Sequence, residues 1–95
     1  MALFVLACFD HENALERRMA VRPKHLAWVD ENKRHVKLAG PMFDGEGKMC
    51  GSLFILEAES EAEVEAFSAA DPYRINDVFG RIEIRGFRVS VGALP

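Results

Sequence analysis

Ninety-five residues and 10.7 kDa, with 49% hydrophobic and 28% charged side chains, suffice for one domain spanning residues 1–95. Folding a chain of this length buries roughly 60–65% of its extended surface, enough for one small core. A net charge of −3 and a pI of about 5.6 exclude the basic stripe of a general nucleic-acid binder, and the apolar content excludes a disordered chain.

The run Ala2 to Phe9, ALFVLACF, is nearly all apolar and is closed by Asp10. It is too short for a membrane span and lacks the basic start of a secretion signal, so it reads as a strand covered on both faces. Asn13 to Ala20 reads as a short helix with Leu15 and Met19 turned inward. Pro23 then opens a second helix, where its missing N–H costs nothing; this piece runs to about Lys33 and buries Leu26 and Val29. Lys33, Arg34 and His35 complement the negative end of its dipole.

Val36–Met42 and Met49–Ala58 read as strands joined by FDGEGK, whose Asp44-Gly45 and Glu46-Gly47 steps favour a hairpin. The acidic excess of Glu57 to Glu65 reads as a solvated helix, with Ser60-Glu61-Ala62-Glu63 as the capping box that opens it toward Ala69. Asp71-Pro72 is an N-cap followed by proline in the first turn. Gly80 to Gly92 reads as the last strand. Its apolar phase switches from Ile82 and Ile84 to Phe87, Val89 and Val91, which predicts a bulge at Gly86.

The order β-α-β-β-α-β is the ferredoxin-like α+β arrangement, with helices on one face of a four-stranded antiparallel sheet. Leu3 to Leu6 and Leu53 to Leu56 are apolar on both faces. The face away from the helices therefore needs an apolar cover, in so short a chain most simply a second copy. A homodimer with sheets packed face to face is expected.

Between Glu16 and Asp30, Arg18, Arg22 and His25 fall at spacings of four and three, along one face of a continuous helix. Each has a plain reading: surface charges for the arginines, a backbone- or water-bonded ring for His25, an N-cap for Asp71, a small strand residue for Ser52. Joined, they describe a site. A carboxylate on one imidazole nitrogen fixes the tautomer and frees the other nitrogen for proton transfer. Two guanidiniums beside it bind an anionic substrate or an enolate-like intermediate. Asp71 is the candidate carboxylate, but spacing alone does not join residues 46 positions apart.

Tyr73 and Trp28 are candidate pocket walls, with core or rim as the plain alternative. Cys8 and Cys50 lack metal-ligand spacing, His11, His25 and His35 form no H-x₃-H pair, and no dinucleotide or phosphate-loop glycine pattern occurs. Neither a metal nor a cofactor is expected. The two thiols are expected to be reduced, in the cytoplasm, and close together, since Cys8 ends the first strand and Cys50 begins the third.

Through LERRMAVRPKHLAWV, AGPM, GSLFILEAES and AADPY, in that order, the chain resembles the YciI-like (YCII-related) family from first strand to last. The resemblance implies a dimeric ferredoxin-like α+β barrel. It also implies a His–Asp pair, matching His25 and Asp71, and a cleft near Arg18, Arg22 and Ser52. One branch of that family removes chloride from a chlorinated hydroxyquinol by acid–base chemistry without a cofactor. This chain departs from the family pattern in a short hairpin loop after Pro41, in Asn76-Asp77 after the Asp-Pro-Tyr helix, and in Gly86 where proline is common.

The expected function is a small cofactor-independent enzyme of lyase, isomerase or hydrolase type, acting on a small anionic or aromatic metabolite. His25 is its general base or acid and Asp71 the orienter. Arg18 and Arg22 are the anion contacts, and Ser52 and Tyr73 bond the substrate. The alternative is a non-catalytic metabolite-binding or interaction module on the same barrel; a third reading, a dimeric-barrel monooxygenase, predicts haem or oxygen dependence. Expected partners are a second copy of the chain and a small-molecule ligand, with neither nucleic acid nor membrane.

Overall fold

The computed structural model describes residues Met1–Pro95. The apolar N-terminal run forms β1 (Ala2–Asp10), an inner strand flanked on both sides. With β2 (Val36–Phe43), β3 (Met49–Ala58) and β4 (Phe79–Phe87) it makes a four-stranded sheet ordered β2-β3-β1-β4, every neighbouring pair antiparallel. Helices α1 (Leu15–Asn32), α2 (Glu61–Ala69) and α3 (Pro72–Ile75) complete the ferredoxin-like α+β arrangement. No helix is long and apolar enough to cross a membrane.

Register decides which side chains meet the helices. Leu6 pairs with Phe54 and Ile84, and Cys8 with Ser52 and Ile82, so these residues share one face. That face holds the core, where Leu6, Cys8, Phe54 and Leu56 pack with Val64 of α2, Tyr73 of α3, and Val78 and Phe79. Leu3, Val5, Ala7, Phe9, Leu53 and Ile55 alternate onto the opposite face.

The local signals at the turns and caps hold. Asp44 Oδ1 accepts from the backbone N–H groups of Glu46 (2.8 Å) and Lys48 (3.0 Å), closing the β2–β3 hairpin. Those two bonds hold its carboxyl below the usual carboxylate range. Gly47, at φ +80°, supplies the left-handed step. Ser60 accepts from the Glu63 N–H, and Asp71 from the Tyr73 N–H with Pro72 in the first turn.

Three expectations need correction. Pro23 does not divide the first helical region, because α1 runs unbroken from Leu15 to Asn32 with Pro23 inside it. An interior proline costs roughly 3 kcal/mol through a lost bond and a clash with the carbonyl one turn back. That carbonyl belongs to Met19, and Met19 and Pro23 both lie on the exposed side of the helix. Both halves of the helix are fastened on the other side, at Arg18 and at His25.

Leu15, Met19 and Leu26 do not face inward; they are exposed, while Ala14, Arg18 and His25 are buried and Val21 and Trp28 pack against the core. The third correction concerns β4, which ends at Phe87 without a bulge at Gly86: Leu3 pairs with Phe87 and Phe4 with Gly86 in unbroken register. The irregularity sits at the other end, where Phe9 pairs with Arg81 but Asp10 with Phe79, leaving Gly80 as the extra residue. Gly80 also lies under the His11 ring, where a Cβ would come within 2.8 Å of Nδ1.

Both cysteines are free. Cys8 sits opposite Ser52, so Cys50 is its diagonal neighbour, a relation that places Cα atoms roughly 7–8 Å apart and outside disulfide reach. Loss of solvation, and then the charge of Asp71, push the Cys8 thiol from 9.0 up to about 12. Because the folded value is raised, the thiol costs nothing below about pH 9, and stability falls as pH climbs from 9 toward 12. Burial raises Tyr73 as well, adding in the same direction. We expect alkylation of the native protein at pH 8 to label Cys50 alone, by mass spectrometry, and denaturant midpoints to fall above pH 9. Native labelling of Cys8, or midpoints flat to pH 11, would contradict this.

Candidate active site

Helix α1 turns a mixed face inward, with Val21 and Trp28 packed on the core beside the buried Arg18 and His25. Arg18 and His25, seven positions apart, lie two turns apart on the buried face. Such a face is stable only if each buried polar group finds partners, and here each does.

His25 Nδ1 lies 2.8 Å from Asp71 Oδ1, with the two side chains 11% and 2% exposed. The same Asp71 oxygen accepts the Tyr73 N–H at 2.9 Å, so the cap that starts α3 also aims the carboxylate at the imidazole. The ring stacks on Tyr73, with centroids 4.0 Å apart and planes at 18°, and meets the Phe54 ring edge-on. Packing and one hydrogen bond therefore fix the imidazole. Nδ1 is committed to Asp71, which leaves Nε2 for a ligand.

Arg18 is fully buried. Its Nε donates to Asp10 Oδ2 at 2.8 Å, and its Nη2 to Asp10 Oδ1 at 3.3 Å and Ser52 Oγ at 2.6 Å. The guanidinium carbon stands 4.3 Å over the Tyr73 ring centroid. Arg22, four residues on, is half-buried and has no ion-pair or hydrogen-bond partner in the chain.

These groups line a cleft of about 240 Å³ between α1 and strands β2 and β3. Its far wall is Ala39, Gly40 and Pro41. They face it because β2 carries an extra residue, Lys37: Val36 pairs with Leu56 but Leu38 with Ile55. The shift turns Leu38 to the outer face and places Ala39 and Pro41 opposite Phe54 and Ser52. Small residues thus keep the cleft open. A hollow of about 420 Å³ lies elsewhere, between the β1–α1 loop and the hairpin, and includes Cys50 but none of the six candidate residues. No group of three or more His, Cys, Asp or Glu side chains is placed to hold a metal ion.

The structure brings His25, Arg18, Arg22, Ser52 and Tyr73 onto one cleft, with Asp71 behind His25. Asp10 was not among the candidates, having a sufficient explanation as the end of a strand. The signal that could have found it was Arg18 on one helical face with His25, since an arginine on a buried face requires a carboxylate within reach.

Fold and site define a small α+β domain whose helical side carries a cleft with a buried histidine–carboxylate pair and an unpaired arginine. The chain belongs to the YCII-related domain family, whose model matches residues 2–88. The proteins called YciI of Escherichia coli O6:H1 and of Shigella flexneri are each 32% identical to it over 94 residues, covering 90% of this chain and 96% of theirs. Among solved structures it is similar to the 5-chloro-2-hydroxyhydroquinone dehydrochlorinase TftG of Burkholderia phenoliruptrix, in complex with 2,5-dihydroxybenzoquinone. That match has a TM-score of 0.84 and 27% identity over 90% of this chain and 93% of the other. An antibiotic biosynthesis monooxygenase, 14% identical with a TM-score of 0.56 over 96% of this chain and 100% of the other, shares the fold alone.

Proposed function

We propose that this protein is a small enzyme that works by the acid–base chemistry of its own side chains on a small anionic or aromatic metabolite, as a lyase, isomerase or hydrolase. The observation that carries this reading is the 2.8 Å contact between His25 Nδ1 and Asp71 Oδ1 at the wall of a cleft. Asp71 orients the ring and balances the charge of the imidazolium, and Nε2 takes or gives the proton. Arg22 receives the substrate's anionic group. Tyr73, its phenol raised by burial against the opposing pull of Arg18 and Arg22, stays a neutral hydrogen-bond donor at neutral pH.

The likeness to a dehydrochlorinase supports this class of chemistry and suggests a planar oxygenated ring as ligand. A panel of small carboxylates and phenols, including 2,5-dihydroxybenzoquinone, tests it by thermal shift. A ligand at 100 times its dissociation constant adds roughly 2.7 kcal/mol to stability, which raises the melting temperature by several degrees in a domain of this size. No shift with any member would remove the anion site from the reading.

The enzyme is proposed to be a homodimer joined through the sheet face that carries Leu3, Val5, Leu53 and Ile55. The apolar residues Leu38 and Phe87 extend that face and are 37% and 41% exposed in the single chain. Light scattering at micromolar concentration should return twice 10.7 kDa. A monodisperse monomer would refute the dimer. Two free thiols fit a reducing, cytoplasmic setting.

A further inference from the structure

Ser52 and Arg18 stand in a relation that neither side chain's type reveals. Arginine only donates, so the 2.6 Å contact from Arg18 Nη2 occupies a lone pair of Ser52 Oγ and leaves the serine proton to point elsewhere. Arg18 has no freedom to turn away, because Asp10 holds Nε and Nη2 together and the Tyr73 ring lies under the guanidinium. No acceptor within the chain takes the Ser52 hydrogen, and Ser52 lines the cleft. The cleft lining contains no carboxylate at all, since Asp10 stands behind Arg18 and Asp71 behind His25.

We propose that Arg18 is a positioning residue: clamped by Asp10, it makes the Ser52 hydroxyl a fixed hydrogen-bond donor into the cleft. The site then selects a ligand that sets an oxyanion or carbonyl oxygen on Ser52 and an anionic group on Arg22. This rests on the function proposed above and narrows its substrate class to molecules rich in acceptors. A cationic ligand finds no counter-charge here, and a ligand that mainly donates finds few acceptors. Arg18 acts on the ligand through Ser52, while Arg22 acts directly.

Calorimetric titration with 2,5-dihydroxybenzoquinone, a planar acid with paired ring oxygens, provides the test on the full chain. Arg18→Lys keeps a cation beside Asp10 but loses the fork that also reaches Ser52. Each of Arg18→Lys and Ser52→Ala should weaken binding about tenfold, and the double variant should bind no more weakly than Ser52→Ala, as coupled partners do. A merely structural Arg18 would lower affinity by the same factor in both backgrounds, which would overturn the proposal. Should Arg18→Lys not fold, Asp10→Asn makes the same comparison, and Ser52→Ala, a small truncation, stands alone as a test. Unchanged affinity in Ser52→Ala, with wild type binding the probe, overturns this inference and leaves the His25–Asp71 reading intact. A wild type that ignores the probe overturns it too, while thermal shifts with other members of the panel would still uphold the broader reading.

Discussion

Replacing His25 should lower turnover by roughly 10²–10⁴-fold, the usual contribution of a positioned general acid or base. Two variants separate that loss from damage to the fold. His25→Ala removes the partner of a carboxylate that is only 2% exposed, and the Tyr73 N–H then serves Asp71 alone. That should cost about 1–3 kcal/mol of stability, the penalty for a buried polar group losing a partner. His25→Asn keeps a donor near the position of Nδ1 but has no second nitrogen to carry a proton. It should recover most of the stability and none of the activity. Single-turnover rates beside denaturation curves for both variants check this, and an Asn variant with near wild-type turnover would remove His25 from the chemistry.

Asp10→Ala should give the largest loss of stability in the molecule, about 3–5 kcal/mol. It strands the Arg18 guanidinium, whose side chain is 2% exposed, with one hydroxyl and one aromatic face for company. A domain of this kind has only about 5–15 kcal/mol of stability, so the variant is read by urea denaturation or by its failure to accumulate as folded protein. Asp10→Asn retains hydrogen-bond acceptance without the charge and should lose less. A change below about 1 kcal/mol for Asp10→Ala would mean that water reaches Arg18 in solution and that the pair behaves as a surface one. Both substitutions act on α1 from opposite ends of its buried face, one through Arg18 and one through His25.

What the sequence determined by itself was whatever depends on neighbours along the chain. The apolar run of β1, the Asp44 hairpin, the Ser60 N-cap and the Asp71-Pro72 cap each follow from a few adjacent residues, and all stand in the structure, though of the Ser60 capping box only the half that accepts the Glu63 N–H is made. The same holds for the order of elements, hence for the ferredoxin-like topology, since short connections leave few ways to arrange them. The alignment of Arg18, Arg22 and His25 on one helical face was legible from their spacing, whereas the pairing of His25 with Asp71 and the cleft at Ser52 came only with the family resemblance.

Tertiary structure alone decided how that face is used. Pro23 is a helix breaker by local rules, yet α1 continues through it, held on either side by Asp10, eight residues before Arg18, and by Asp71, 46 residues beyond His25. The change of apolar phase near Gly86 reads as a bulge but marks the end of a strand, whereas the shifts that do occur, at Lys37, Cys50 and Gly80, follow from how strands pair. The partnership of Arg18 with Asp10 and Ser52, and of His25 with Asp71, exists only once the sheet has set its register and α3 has docked. Buried charge is tolerated only where a partner arrives through the fold, and that arrival is a property of three dimensions.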